Sequence, residues 1–330
     1  MALPVSTLSE SKVVVDIERI LPSLPKEKGW WLETLYKYKG FWFDEPLLQG
    51  TLITQKTFKA QPNTVVLATL PKSGTTWFAA LLFTTMNRTR YSYSSHPLLT
   101  SSPHDCVPGI EFYASKNPSN PTMPTTFPLV AAHIPYPLLP ESIKSSSCPI
   151  IYVCRNPNDV FVSLWHFANK LRPKELQPLN IEEAFDLFCK GVSPFGSYWD
   201  HVLGFWKASI EMPNKVLFVR YEDMKNQPFT LLKKLAEFVG CPFTLAEEES
   251  GVIEKIIDFC SFESLTSFEV NRVEVERNTL PGANVPNNVF FRKGKVGDHK
   301  NYLTDEMMKR LREITEMRFK DSGLLELHIW

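Results

Sequence analysis

The stretch Thr64-Val65-Val66-Leu67-Ala68-Thr69-Leu70-Pro71-Lys72-Ser73-Gly74-Thr75-Thr76-Trp77-Phe78-Ala79-Ala80-Leu81-Leu82-Phe83 runs from one apolar segment through a polar turn into a second. The first segment has the length and branching of a buried strand, and the second follows clustered hydroxyls, as a capped helix does. A helix N-terminus carries free backbone N–H groups and binds anions; Lys72, Ser73, Thr75 and Thr76 add side-chain donors around it. A phosphate-like ligand is therefore expected here. A Walker A loop places several glycines before a Lys-Ser or Lys-Thr pair whose hydroxyl sits on magnesium. In this chain Lys72 comes before the turn's only glycine, Gly74, and the indole of Trp77 follows the threonines. ATP with magnesium is thus not the first expectation, and an ordinary Ser/Thr-capped helix is the plain alternative.

Three further apolar runs read as buried strands, each followed by a polar residue. Leu129-Val130-Ala131-Ala132 precedes His133, residues 149–154 precede Arg155, and Val216-Leu217-Phe218-Val219 precedes Arg220 and Tyr221. Helical segments at 157–169 and 230–239 separate them. The pattern predicts an α/β fold, a single domain over 1–330 with a central, mostly parallel sheet flanked by helices. Ligands of such sheets lie at the carboxyl ends of the strands, where these polar residues fall.

The 330 residues are 43% hydrophobic and 12% aromatic, enough for a large core. Lys and Arg number 36 against 36 Asp and Glu, so no global field favours nucleic acid or an anionic membrane. The opening residues lack a basic region followed by an apolar one, and no apolar run is long enough to span a bilayer. The six cysteines form no C-x-x-C pair and read as reduced, packed thiols of a cytosolic protein; neither zinc nor another metal is expected.

Residues 1 to about 60 read as helical, with a flexible beginning over 1–20 and an aromatic cluster from Trp30 to Phe43. The proline-rich segment 96–128 reads as a long loop over a binding site. Residues 280–301 show turn chemistry and carry Arg292, Lys293, Lys295 and Lys300. Residues 305–320 read as an amphipathic closing helix.

Three motifs in register, Pro71-Lys72-Ser73-Gly74-Thr75-Thr76-Trp77, Arg155-Asn156-Pro157-Asn158-Asp159 with Ser163, and Arg292-Lys293-Gly294-Lys295-Val296-Gly297-Asp298, resemble the cytosolic sulfotransferase family. The similarity runs from about Leu24 to the C-terminus. Leu24-Pro25-Lys26-Glu27-Lys28-Gly29-Trp30 and Cys260-Ser261-Phe262-Glu263-Ser264-Leu265 look like its plant branch.

The resemblance implies transfer of a sulfuryl group from 3′-phosphoadenosine 5′-phosphosulfate to a hydroxyl of a small acceptor. By the match, the loop Lys72, Ser73, Gly74, Thr75, Thr76 cradles the 5′-phosphosulfate, and Lys72 meets charge on the leaving oxygen. Arg155, Ser163, Arg292, Lys293 and Gly294 hold the 3′-phosphate. Trp77 and Phe262 sandwich adenine, with the Tyr221 hydroxyl at its edge. His133, in Ala132-His133-Ile134-Pro135-Tyr136-Pro137, is the implied base. Relatives often carry tryptophan where this chain has His299. The animal dimer motif would start at Lys300, but Asp305 and Lys309 replace its valine and glutamate, so a monomer is expected. The aromatic cluster and the 96–128 segment would wall an acceptor site suited to a flavonoid, a steroid or a hydroxylated lipid-like molecule. A nucleotide-dependent phosphotransferase with a variant P-loop and a non-catalytic nucleotide binder are the competing readings; magnesium-dependent turnover would mark the former.

Overall fold

The computed structural model describes residues 17–124, 126–272, 277–280 and 283–327. The flexible beginning expected over 1–20 falls, for residues 1–16, outside the described residues.

The aromatic N-terminal region is not the expected helix. It forms an antiparallel sheet of β1 (Lys26–Lys28), β2 (Thr34–Tyr38) and β3 (Phe41–Phe43). Aromatic side chains suit a pleated, half-buried surface. Lys39 and Gly40, at φ 47° and 94°, close β2 onto β3 with the positive-φ pair that a tight hairpin demands. The hairpin is then pinned elsewhere in the chain: Trp42 N donates to Gly196 O at 3.0 Å and Phe195 N to Trp42 O at 2.7 Å. Helix α1 (Glu45–Thr57) follows, its first turn capped by Asp44, which accepts from Leu47 N.

The central sheet has β4 (Val65–Thr69), β5 (Leu129–Ala132), β6 (Ile150–Cys154) and β7 (Val216–Arg220) in the order β5-β4-β6-β7, all parallel. Alternate strand residues serve two cores. Val66, Ala68, Val130, Ala132, Ile150 and Tyr152 face one; Val65, Leu67, Leu129, Ala131, Ile151 and Val153 face the other. Burial on both faces explains why these runs are continuously apolar. The chain leaves β4 for β5 on one side and returns to β6 on the other, so a crevice opens at the carboxyl end of β4. Into it runs the turn leading to α2 (Thr75–Met86).

The 96–128 segment is not an irregular loop. It holds α3 (Pro103–Cys106), started by a reciprocal Ser102–Asp105 capping box, and α4 (Ile110–Lys116). Helix α4 packs on α1 so closely that a Cβ built on Gly50 would stand 2.1 Å from Glu111 O. A mid-helix Gly→Ala change ordinarily stabilises by about 0.5–1 kcal/mol. Here the sign reverses: Gly50→Ala is expected to destabilise by about 1–3 kcal/mol, read as a lower midpoint of denaturant unfolding.

Helix α5 (Pro157–Leu171) and the helices Pro228–Phe238 and Asp305–Phe319 fall where the sequence predicts them. Within 280–301, the structure has a strand pair, Arg277–Leu280 with Ala283–Val285, and the turns Asn287–Phe290 and Asp298–Asn301. No helix among the described residues is long and apolar enough to cross a membrane.

Candidate active site

The carboxyl ends of the four parallel strands deliver Thr69, His133, Arg155 and Tyr221 to one rim. The turn after β4 is tightly shaped: Lys72 has φ 71° and Gly74 φ 119°. A side chain at Gly74 would bring its Cβ within 2.7 Å of the Tyr221 ring, so only glycine lets the turn pass. A lysine in the left-handed region costs about 1–3 kcal/mol, the kind of strain that collects at functional positions.

The Lys72 Nζ lies 4.0 Å from the centre of the Phe167 ring, and no carboxylate among the described residues pairs with it. Burial, then the charges of Arg155, Lys170 and Arg292, pull its pKa down to about 7. A buried ammonium among like charges, with no carboxylate of its own, favours an anion.

Arg155 is buried, its Nη1 donating to Lys72 O (3.3 Å) and its Nη2 to Lys295 O (2.9 Å), while its guanidinium lies 4.4 Å from the Tyr221 ring centre. Arg292 pairs with Asp298. Ser163, on α5, is buried beside the same cleft. Gly294, φ 61°, abuts Phe262: an added Cβ would be 2.5 Å from that ring. Three buried N–H groups here have no acceptor among the described residues: Arg155 Nε, Arg292 Nε and Trp77 Nε1. A buried donor without a partner costs about 1–3 kcal/mol, so each of these groups is expected to meet a water or a ligand.

Trp77 meets Tyr221 edge-on at 5.4 Å and carries the Lys225 ammonium 4.5 Å above its ring. Trp77 and Phe262 both line the cleft. Arg220 is turned away, beside Asp223 (3.8 Å) and the Leu327 carbonyl.

His133 is held at three points. Its backbone N–H donates to Glu111 Oε1 (2.7 Å), its carbonyl accepts from His201 Nε2 (2.9 Å), and its ring Nδ1 donates to Thr69 O (2.7 Å). A carbonyl can only accept, so the proton of the neutral ring sits on Nδ1 and the lone pair on Nε2, which no described residue engages. Burial lowers the His133 pKa to about 4, opposed by the Thr69 carbonyl and aided by Lys72. The ring is therefore neutral and basic at Nε2. Thr69 Oγ1 also touches Thr75 Oγ1 at 2.6 Å, linking His133 to the turn.

Lys72, Trp77, His133, Arg155, Ser163, Tyr221, Phe262, Arg292 and Gly294 line one cleft of about 410 Å³. Every site residue expected from the sequence lines it except Ser73, whose side chain is buried at 1% exposure. The cleft is also lined by Trp31, Leu32, Phe112, Tyr113, Phe127 and Phe195. Most of the N-terminal aromatic cluster, Trp30, Phe41, Trp42 and Phe43 included, is core rather than wall. Among the described residues, no group of three or more His, Cys, Asp or Glu side chains could hold a metal ion.

Sequence reasoning missed the supports. Asp159, fully buried, accepts from Gly297 N (2.8 Å), His299 N (3.1 Å) and His299 Nδ1 (2.9 Å), with Arg155 at 3.6 Å. Burial alone would raise its pKa, but His299, Arg155 and the two amides outweigh it and hold it at about 2. His299 thus helps tie the basic loop to α5. Glu111 and His104, equally missed, sit in helices hidden by the prolines of 96–128; the Ser102–Asp105 capping spacing was the available signal.

The sulfotransferase-domain family profile matches residues 62–323. Over 313 residues the chain is 45% identical to cytosolic sulfotransferase 17 of Arabidopsis thaliana, covering 93% of this chain and 89% of that one. It is 44% identical to flavonol 3-sulfotransferase of Flaveria bidentis, covering 94% and 99%. The crystal structure of a mouse sulfotransferase complexed with PAP superimposes at a TM-score of 0.63, with 25% identity over 88% of this chain and 95% of that one. A cradle after the first strand of a parallel sheet, a basic loop folded back on it and a neutral histidine between them accord with these likenesses, and the chain belongs to the sulfotransferase family, beside its plant cytosolic members.

Proposed function

We propose that this enzyme moves the sulfuryl group of 3′-phosphoadenosine 5′-phosphosulfate to a hydroxyl of a small, largely apolar acceptor in the cytosol. The observation that carries the reading is the set of buried N–H groups, Arg155 Nε, Arg292 Nε and Trp77 Nε1, that have no acceptor among the described residues, around a Lys72 ammonium buried among Arg155, Lys170 and Arg292. Two guanidiniums brought from distant segments suit a second phosphate on the same ligand, and the aromatic faces of Trp77 and Phe262 suit its base.

In this reading the acceptor oxygen bonds to sulfur while the bond from sulfur to the bridging phosphate oxygen breaks. His133 Nε2 receives the acceptor proton, its ring orientation fixed by the Thr69 carbonyl. Lys72 meets the charge that grows on the leaving oxygen, which favours the transition state over the ground state. No step calls for a metal. The acceptor class is a flat phenolic of the flavonoid kind: rings of Phe112, Phe195 and Trp31 line the cleft, Phe112 and Phe195 each 5.6 Å from His133. One relative is a flavonol sulfotransferase.

The test is transfer of label from radioactive donor to a panel of flavonols, simple phenols, steroids and hydroxylated lipids in excess chelator. Labelled phenolic product at undiminished rate is the expected result. No labelled product from any hydroxylated acceptor, with no binding of adenosine 3′,5′-bisphosphate, overturns the reading; magnesium-dependent turnover would point to phosphoryl transfer. Nucleotide binding without a labelled phenol removes only the acceptor class.

A further inference from the structure

His104, on α3, stands where three segments meet. Its Nε2 is 2.9 Å from Thr76 Oγ1 in the first turn of α2. Its ring centroid lies 4.2 Å from that of Phe290, in the turn that leads to Arg292. The ring also lines the cleft shared with Lys72 and His133. Burial, then the charges of His133, Lys72 and Lys116, lowers its pKa to about 3, so it is neutral and has one N–H to place.

A hydroxyl owns a single proton. Were His104 Nε2 to accept, Thr76 would give that proton to the ring and turn lone pairs toward the cradle, where they repel an anion. With the proton on Nε2, the ring donates to Thr76 Oγ1 and frees the Thr76 O–H for the ligand; each bond polarises the next. An anion in the cradle therefore selects the Nε2–H tautomer.

We propose that His104 is a positioning residue for the sulfuryl donor, holding the Thr76 hydroxyl so that its proton points at the 5′-phosphate group. The proposal rests on the donor reading above. It assigns His104 no proton transfer and no contact with the reacting atoms.

The test is a double-mutant cycle read as the dissociation constant of adenosine 3′,5′-bisphosphate, for the unsubstituted chain, His104→Phe, Thr76→Val and the double variant. His104→Phe keeps a ring against Phe290 and is expected to weaken binding by about 3- to 10-fold, the worth of one hydrogen bond. In the Thr76→Val background the same change is expected to do nothing. His104→Gln, which again offers an N–H, is expected to restore most of the affinity; a ring needed only for packing would not be rescued this way. His104→Ala repeats the cycle without a ring to place, should the phenylalanine variant not fold. Unchanged binding in His104→Phe, or an equal loss with and without the Thr76 hydroxyl, overturns the proposal while the donor reading stands. Failure of the unsubstituted chain to bind the nucleotide overturns both.

Discussion

His133→Ala is expected to lower kcat by about 10²- to 10⁴-fold, the usual worth of a positioned general base, with nucleotide affinity nearly unchanged. The expectation follows from how the ring is held. Its Nδ1–H is committed to the Thr69 carbonyl, so the one remaining nitrogen is an acceptor facing the cleft. His133→Gln offers a comparable volume but no lone pair of comparable basicity, and is expected to behave like alanine. Single-turnover transfer to a phenolic acceptor, alongside nucleotide binding measured by Trp77 fluorescence, separates the two quantities. Turnover near the unsubstituted rate would exclude His133 as the base.

Lys72→Met is expected to cost about 10²- to 10³-fold in kcat, as loss of one group that meets developing oxyanion charge does. Its pH signature is more specific. In the free protein Lys72 titrates at about 7, and His133 at about 4. Catalysis requires Lys72 charged and His133 neutral, so kcat/KM is expected to rise with pH through about 4 and fall through about 7. A bound polyanion offsets the repulsion from Arg155, Lys170 and Arg292 and favours the charged amine. The falling limb of kcat therefore shifts to higher pH than that of kcat/KM, and nucleotide binding above neutrality takes up a proton. Calorimetry in buffers of different ionisation enthalpy reads that proton directly; its absence, together with coincident limbs, would mean that Lys72 is already charged when free. Lys72→Arg, which does not titrate in this range, is expected to lose the falling limb.

The parallel sheet was legible because β4, β5 and β6 are buried on both faces and β7 is packed on both, which leaves unbroken apolar runs, and because the polar residue after each run marks the rim. The N-terminal sheet was not. Its aromatic residues carry no clean period, and what decides for strand is Lys39-Gly40 at positive φ and the clamp of Trp42 onto residues 195–196, a contact far along the chain. Helices α3 and α4 were likewise obscured, since the prolines around them read as breakers although Pro103 begins a helix.

At the site the same division holds. Residue type and local order pointed to Lys72, Ser73, Thr75 and Thr76 as an anion cradle and to His133, Arg155 and Tyr221 at strand ends, because both are local features; the resemblance gave Trp77 and Arg292 their roles and joined all of them into one family. Tertiary structure alone decided which side chains they lean on: Asp159 under the basic loop, Glu111 and His201 at the backbone of His133, His104 at Thr76. These partners are separated by up to 140 residues for His299 and Asp159, and no local pattern encodes a pairing across such a span. The pKa values of Lys72 and His133 belong to the same class, since burial and neighbouring charge exist only once the chain has closed.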